Sequence, residues 1–352
     1  MTGVTVMGGG VLGLCTAFVL ARRGVTVRVV EKRRIGAGAS GGVVGALAPH
    51  APEQWNAIKA FQFDSLIMAE SFWSDVAQIG GADPGYARLG RVQPLGDDAA
   101  VARAHARAEA AADLWQGRAR WQVIAADQAP GMALRSDTGL VVMDTLSARL
   151  SPRAALAALT AALAARGVTV EAGDAPPAGA QAVIWATGAE GLADLSAALG
   201  VSIGAAVKGQ AALLAADWRD APQIYAPGLH VVPHADGLVA VGSTSEREFA
   251  DGAATDSQLD AVIDRARALC PALAGARVLE RWAGLRPRAR SRQPVMGGWP
   301  GRPGHYVLNG GFKIGFGLAP KLADVMAALV LDGQDTRPAG MRVEDCLPAQ
   351  AG

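Results

Sequence analysis

The chain has 352 residues, with 33 Lys and Arg against 32 Asp and Glu and a formal net charge of +1. That length exceeds one ordinary domain and suggests two lobes sharing a substantial core. The even charge balance gives no reason to expect nucleic acid or an anionic membrane surface as a partner, and the most apolar windows, 154–165 and 325–331, are too short to span a bilayer.

The first element in chain order is a short apolar strand, Val4-Thr5-Val6-Met7. It runs into Gly8-Gly9-Gly10-Val11-Leu12-Gly13, a helix start, and a second strand over residues 25–30 that ends in Glu31. This is the dinucleotide-binding fingerprint in its expected strand–turn–helix setting. Gly8 allows the tight turn, Gly10 lets the backbone approach a pyrophosphate, and Gly13 lets helix and strand pack closely. The amides and dipole at the helix start supply the anion site, with Val11 and Leu12 on its first turn. Glu31 accepts hydrogen bonds from a ribose. At this point the nucleotide is equally open to NAD or FAD.

A loop of small residues follows, 36–50, which can pass close to a ligand because few side chains stand in the way. A long amphipathic helix is expected over 56–78, then an irregular α+β stretch to about 143 containing a helix near 97–115. Ser151-Pro152-Arg153 opens another helix that ends at Gly167. Residues 168–171 read as a strand. After a Pro/Gly linker at 173–179, the run Ala182-Val183-Ile184-Trp185-Ala186-Thr187-Gly188 reads as a central parallel strand whose end touches a ligand. Strand-like runs at 211–215, 230–233 and 237–242 predict an antiparallel sheet. Tyr306-Val307-Leu308-Asn309 is a last strand, ending in Gly310-Gly311 and leading through Phe312-Lys313-Ile314-Gly315-Phe316-Gly317 to a helix over 318–331.

The expected architecture is therefore α/β: a Rossmann-like FAD-binding domain with an inserted antiparallel-sheet α+β substrate domain. The first is assigned 1–50, 145–200 and 290–352, the second 51–144 and 201–289. Cys15, Cys270 and Cys346 are scattered and form no CxxC pair, which argues against a disulfide framework or a metal site. With no signal peptide expected ahead of a strand at residue 4, the expectation is a cytoplasmic enzyme.

Four ordered motifs beyond the fingerprint carry a family resemblance. They are Ala39-Ser40 with Gly45-Ala46-Leu47-Ala48-Pro49-His50; Ala186-Thr187-Gly188; His230-Val231-Val232-Pro233 followed by Val241-Gly242-Ser243-Thr244; and Trp282-Ala283-Gly284-Leu285-Arg286-Pro287 with Pro294 and the Gly311–Gly317 turn. Together they resemble the FAD-dependent D-amino-acid oxidase family, and within it the glycine-oxidase pattern. A nicotinamide enzyme needs only the first motif, so the later ones assign the nucleotide to FAD. The resemblance implies that FAD is held by Gly8, Gly10, Val11, Leu12, Gly13, Glu31, Lys32, Ala39, Ser40, Val44, Gly45, Ala46, Thr187, Gly188 and the turn Gly311, Phe312, Lys313, Ile314, Gly315 and Phe316.

It further implies hydride transfer from the α-carbon of a small amino acid or N-substituted amino acid to flavin N5. The resulting imine is hydrolysed to a keto acid or aldehyde, and oxygen or a quinone reoxidises the flavin. Arg286 is the candidate for the substrate carboxylate, the alternative being an arginine that ties its strand to a neighbouring acid. Lys313 stands where the pattern carries an arginine; it could face substrate or flavin. His230 occupies a position where an aromatic often covers the substrate, near Tyr225. It could bond substrate or simply pack. His50 could lie near the flavin or make a structural hydrogen bond. His105 and His234 carry no role, and His305 is expected at the surface.

Two departures bear on the substrate: Ala46 replaces a bulkier residue, and Arg288, Arg290 and Arg292 make the following turn unusually basic. The stretch between Glu171 and Val183 is also shorter than the family pattern, which trims the cofactor domain without removing a motif. The basic turn is either a solvated loop or a pocket mouth for a larger or more acidic substrate than glycine. A 2-hydroxy-acid dehydrogenase using His50 or His230 as base, and a non-catalytic flavin-binding module, remain as alternatives. No metal is implied, and a homo-oligomer is left open.

Overall fold

The computed structural model describes residues 3–347. Its first sheet has six strands in the order Val295–Gly298, His305–Asn309, Ala182–Trp185, Val4–Met7, Val27–Glu31 and Val170–Ala172. All neighbours are parallel except Val295–Gly298, which runs against His305–Asn309. Val4–Met7 is buried along its whole length. Such a continuous apolar run suits a parallel strand covered on both faces rather than an alternating one. Helix Val11–Arg22 makes the crossover to Val27–Glu31.

The second sheet has eight strands, ordered Val278–Ala289, Gly204–Ala215, Leu238–Gly242, Leu229–Pro233, Gln223–Ala226, Arg91–Pro94, Leu140–Asp144 and Trp121–Ala125. It is antiparallel except where Gln223–Ala226 pairs parallel with Arg91–Pro94. That one junction joins the strands contributed before residue 145 to those contributed after residue 203. A two-stranded ribbon, Ala46–Leu47 with Ala148–Arg149, makes a separate small sheet.

Several bounds differ from the sequence reading. Strands Gly204–Ala215 and Val278–Ala289 are twelve residues each, whereas only 211–215 was expected in the first and the second was seen only as a motif. Lys208, Gln210, Glu280, Arg281 and Arg286 break the apolar alternation that announces a strand. Helix Ser257–Leu269 was not expected at all, although Asp256 caps it by accepting a hydrogen bond from Gln258 N at 2.9 Å. The last helix begins at Gly315, three residues before the apolar run at 318; the two glycines of its first turn carry no apolar signal.

Helix Ala57–Gly80 starts at Asn56, whose side chain accepts hydrogen bonds from Ile58 N and Lys59 N at 3.0 and 3.1 Å. It packs on helices Pro152–Ala165 and Gly315–Asp332. At its centre Phe72 meets Phe18 and Trp73 edge-on, at ring-centre distances of 5.6 and 5.2 Å. This aromatic contact ties the helix layer to the first helix of the parallel sheet and so holds its ligand-facing edge in shape. Phe72→Ala is expected to lower the unfolding free energy by about 3–5 kcal/mol in urea denaturation; a loss below about 1 kcal/mol would mean the cluster is not central to the core.

Candidate active site

The site is built on the C-terminal edge of the parallel sheet. Three helices start there, at Val11, Gly188 and Gly315, and none has a side-chain N-cap. Two of these starts are neighbours, since a Cβ on Gly315 would lie 4.0 Å from Val11 Cγ1. Open amides and positive dipole ends side by side suit a ligand carrying phosphates and a second electron-rich edge. The backbone at the first turn leaves no room for side chains. Gly8 has φ of 111°, and a Cβ there would stand 2.5 Å from the carbonyl oxygen of Ala186. A Cβ on Gly13 would overlap the carbonyl of Gly8. Ser40 Oγ accepts a hydrogen bond from Val11 N at 3.0 Å, so the small-residue loop sits directly over the helix start.

Glu31 lies beside the same turn. Its carboxylate accepts hydrogen bonds from Gly9 N at 2.7 Å and Arg33 N at 2.8 Å, which fix it at the strand end. Lys32 points away, 3.7 Å from Glu190. At the next strand end Asn309 donates to Gly188 O at 2.9 Å, clamping the turn that contains Thr187. A cleft of about 560 Å³ opens beside Thr187, Trp185 and Trp299, and it shares no residue with the polar group described next.

Residues 44–50 pass between the two sheets and are pinned by three side chains from elsewhere. His234 Nε2 bonds Val44 O at 3.1 Å, Gln223 donates to Ala148 O at 2.8 Å and Leu47 O at 3.4 Å, and Gln62 donates to Ala48 O at 3.2 Å while accepting from His50 N at 2.8 Å. His234 is 2% exposed. These three residues were missed by sequence reasoning; only the motif position of Val231-Val232-Pro233 ahead of His234 gave any signal.

Facing this loop from the second sheet is Arg286, 9% exposed. Its guanidinium lies over Gly209 of the neighbouring strand, where any Cβ would overlap it. It donates to Thr244 O at 3.0 Å and to Ser243 Oγ at 2.7 Å, and among the described residues it forms no salt bridge. Burial pulls it down to about 10, opposed by Glu246, so it stays charged at neutral pH. Behind it a polar set holds Thr244 in place. Glu246 accepts from Thr244 and, at 3.0 Å, from Gln210, and its other oxygen is 3.4 Å from Lys208 Nζ. The Glu246 charge is thus answered by Lys208, and Arg286 retains its own.

The structure brings Arg286, Lys313 and His230 into one group. Desolvation first, then the charges of Arg286 and Arg288, lower the pKa of Lys313. His230 has an unpaired buried Nδ1 and packs on Tyr225 at 4.9 Å, which in turn lies under Arg91 at 5.5 Å. Arg91 is neutralised by Asp144 at 2.9 Å. Burial, followed by the charges of Arg91, Lys313 and Arg286, pushes His230 down to about 4, so its imidazole is neutral at pH 7. His50 is at the rim: its side chain is exposed. His105 is exposed on helix Asp98–Leu114. His305 is not a free surface residue, since its Nδ1 accepts from Trp185 Nε1 at 3.0 Å and the rings stack.

The chain belongs to the FAD dependent oxidoreductase family (DAO), whose sequence profile matches residues 3–329. FAD is accordingly its cofactor, and the glycine cradle and adjoining uncapped helix starts fit that group. It is 30% identical to glycine oxidase of Pseudomonas putida, covering 93% of this chain and 94% of that protein. Its fold is similar to glycine oxidase from Geobacillus kaustophilus, with TM-score 0.82, 23% identity, and 97% of this chain and 99% of that one covered. It is also similar to iminodiacetate oxidase from Chelativorans sp. BNC1, with TM-score 0.84, 23% identity and 98% of each chain covered. Among the described residues no helix is long and apolar enough to cross a membrane.

The His230 environment has a measurable sign. Its folded pKa lies below its unfolded value, so the unfolded chain binds the extra proton and stability is lost as pH falls from about 6.5 toward about 4. His230→Phe is expected to flatten that part of the stability–pH curve in thermal melts; an unchanged slope would place the imidazole in solvent.

Proposed function

We propose that the protein oxidises a small amino acid or N-substituted amino acid at its α-carbon, yielding an imine that water hydrolyses. The observation that carries this reading is the buried, charged Arg286 with no protein carboxylate against it. A desolvated cation held only by a carbonyl and a hydroxyl is matched by an anionic ligand. A carboxylate bound bidentately there fixes the substrate along one axis, which is what hydride transfer from the adjacent carbon requires.

FAD, once bound, supplies the hydride acceptor. Gly8, Gly10 and Gly13 with Val11 and Leu12 would take its phosphates, Glu31 its ribose, and Ser40 through Ala46 with Gly311 through Phe316 its ring side. The uncapped helix start at Gly315 would offer positive potential to the flavin edge where charge accumulates on reduction. His230, neutral and with a free nitrogen, offers a hydrogen bond to the substrate amine and no like charge to repel it. A 2-hydroxy acid would instead need His230 or His50 to take the hydroxyl proton. Burial pushes His230 down to about 4 and lowers His50 as well, which makes both weak bases for that task. Amine oxidation is therefore preferred.

The test is the FAD-reconstituted protein under anaerobic conditions with panels of amino, N-alkylamino and 2-hydroxy acids. Bleaching of the flavin band by amino acids is expected, and bleaching only by hydroxy acids would overturn the reading. Arg286→Ala should keep FAD bound and lower kcat/KM by about 10–100-fold, the range for a lost hydrogen-bonded charge contact. Loss of FAD binding in that variant would make the arginine structural instead.

A further inference from the structure

A single substrate carboxylate answers only one of the positive charges at this site. Arg91 has Asp144 and Lys208 has Glu246. Arg286, Arg288 and Lys313 make no salt bridge among the described residues. Arg288 lies two residues beyond Arg286 on strand Val278–Ala289, so both side chains leave the same face of the sheet. In register they stand opposite Val207 and Ala205. Their Cα atoms are about 6.6 Å apart; the Arg286 guanidinium leans over Gly209, opposite Gly284, and Lys313 lies close enough to both arginines to feel each charge.

Arg288 and Lys313 also share a platform. The guanidinium carbon of Arg288 is 5.7 Å from the centre of the Phe312 ring, and Lys313 Nζ is 5.5 Å from it. Phe312 is fixed by its backbone, since its N–H donates to Pro287 O at 3.1 Å and its φ is 42°, a left-handed conformation that a phenylalanine rarely takes. The ring and the Arg286 strand thus hold two further cations near the first, Arg288 half-buried and Lys313 exposed. Like charges set this close repel unless an anion lies between them. Arg290 and Arg292 do not join them. Both are exposed in the turn that follows, where Arg290 N bonds Ile203 O.

We propose that Arg288 is a specificity-determining residue that, with Lys313 on the Phe312 ring, forms a second carboxylate position, so that the preferred substrate is an amino acid bearing two carboxylates, one of them on the nitrogen substituent or side chain. The assignment rests on Arg286 taking the first carboxylate beside the flavin. It gives a role to Arg288, the first of the basic residues after Pro287. It also accounts for the lysine at position 313: a point charge adapts to a second carboxylate without demanding the fork geometry that Arg286 supplies.

Two measurements on the FAD-loaded protein test it. In the first, succinate and acetate are titrated separately and followed by the change in flavin absorbance. Succinate is expected to bind at least tenfold tighter, and Arg288→Ala to erase that preference while Arg288→Lys restores part of it. Equal affinity for the two anions, or a preference that survives in Arg288→Ala, overturns the proposal. So does an Arg288→Ala variant whose flavin absorbance shifts while its anion preference stays, because Arg288 would then serve the flavin. In the second, kcat/KM is compared for iminodiacetate and N-methylglycine. The ratio between them should fall at least tenfold in Arg288→Ala, mainly through KM; an unchanged ratio overturns the proposal. If succinate is preferred but no amine bleaches the flavin, the second position stands and the amine-oxidising reading falls.

Discussion

A charged guanidinium buried without a carboxylate is the constraint from which the rest of this site follows. Arg286 can occupy its place only because Gly209 on the adjacent strand has no side chain. It keeps its orientation because Thr244 and Ser243 accept its donors, and Thr244 is held in turn by Glu246 and Gln210. Leaving a cation desolvated is costly unless a ligand completes its hydrogen bonds. The protein directs its buried acids elsewhere, Glu246 to Lys208 and Asp144 to Arg91, and leaves Arg286 without an acid partner among the described residues. His230 is neutral chiefly because it is buried, and its cationic neighbours Arg91, Lys313 and Arg286 further oppose a proton.

The second requirement is that two sheets meet at a fixed distance. The parallel sheet offers helix starts and glycine turns; the larger sheet offers Arg286 and His230. Between them runs the 44–50 segment, tied by Gln62 from the helix layer and by Gln223 and His234 from the larger sheet. Each of these bonds goes to a backbone carbonyl. The loop is therefore positioned by its main chain, and its small side chains leave the ligand-facing surface open.

What could be read in the sequence divides along the same line. The glycines at 8, 10 and 13 were legible because a backbone conformation or a close approach demands each of them, and that demand is local. Arg286 and Lys313 were legible through motifs a few residues long. His234, Gln62 and Gln223 were not, because the carbonyls they bond lie 14 to 190 residues away and carry no residue-specific mark. The long strand around Arg286 was hidden for a related reason. Its polar residues, Arg286 among them, break the alternation by which a strand is recognised. His305 was misread because its partner, Trp185, lies 120 residues earlier.

The most direct test of the account is a crystal structure of the FAD-loaded protein with a non-oxidisable carboxylate bound in place of substrate. The account predicts that carboxylate on both terminal nitrogens of Arg286, at charge-assisted hydrogen-bond distance, with His230 facing the ligand. A structure in which Arg286 instead pairs with Glu246 or another protein acid, and the carboxylate binds elsewhere, would contradict it.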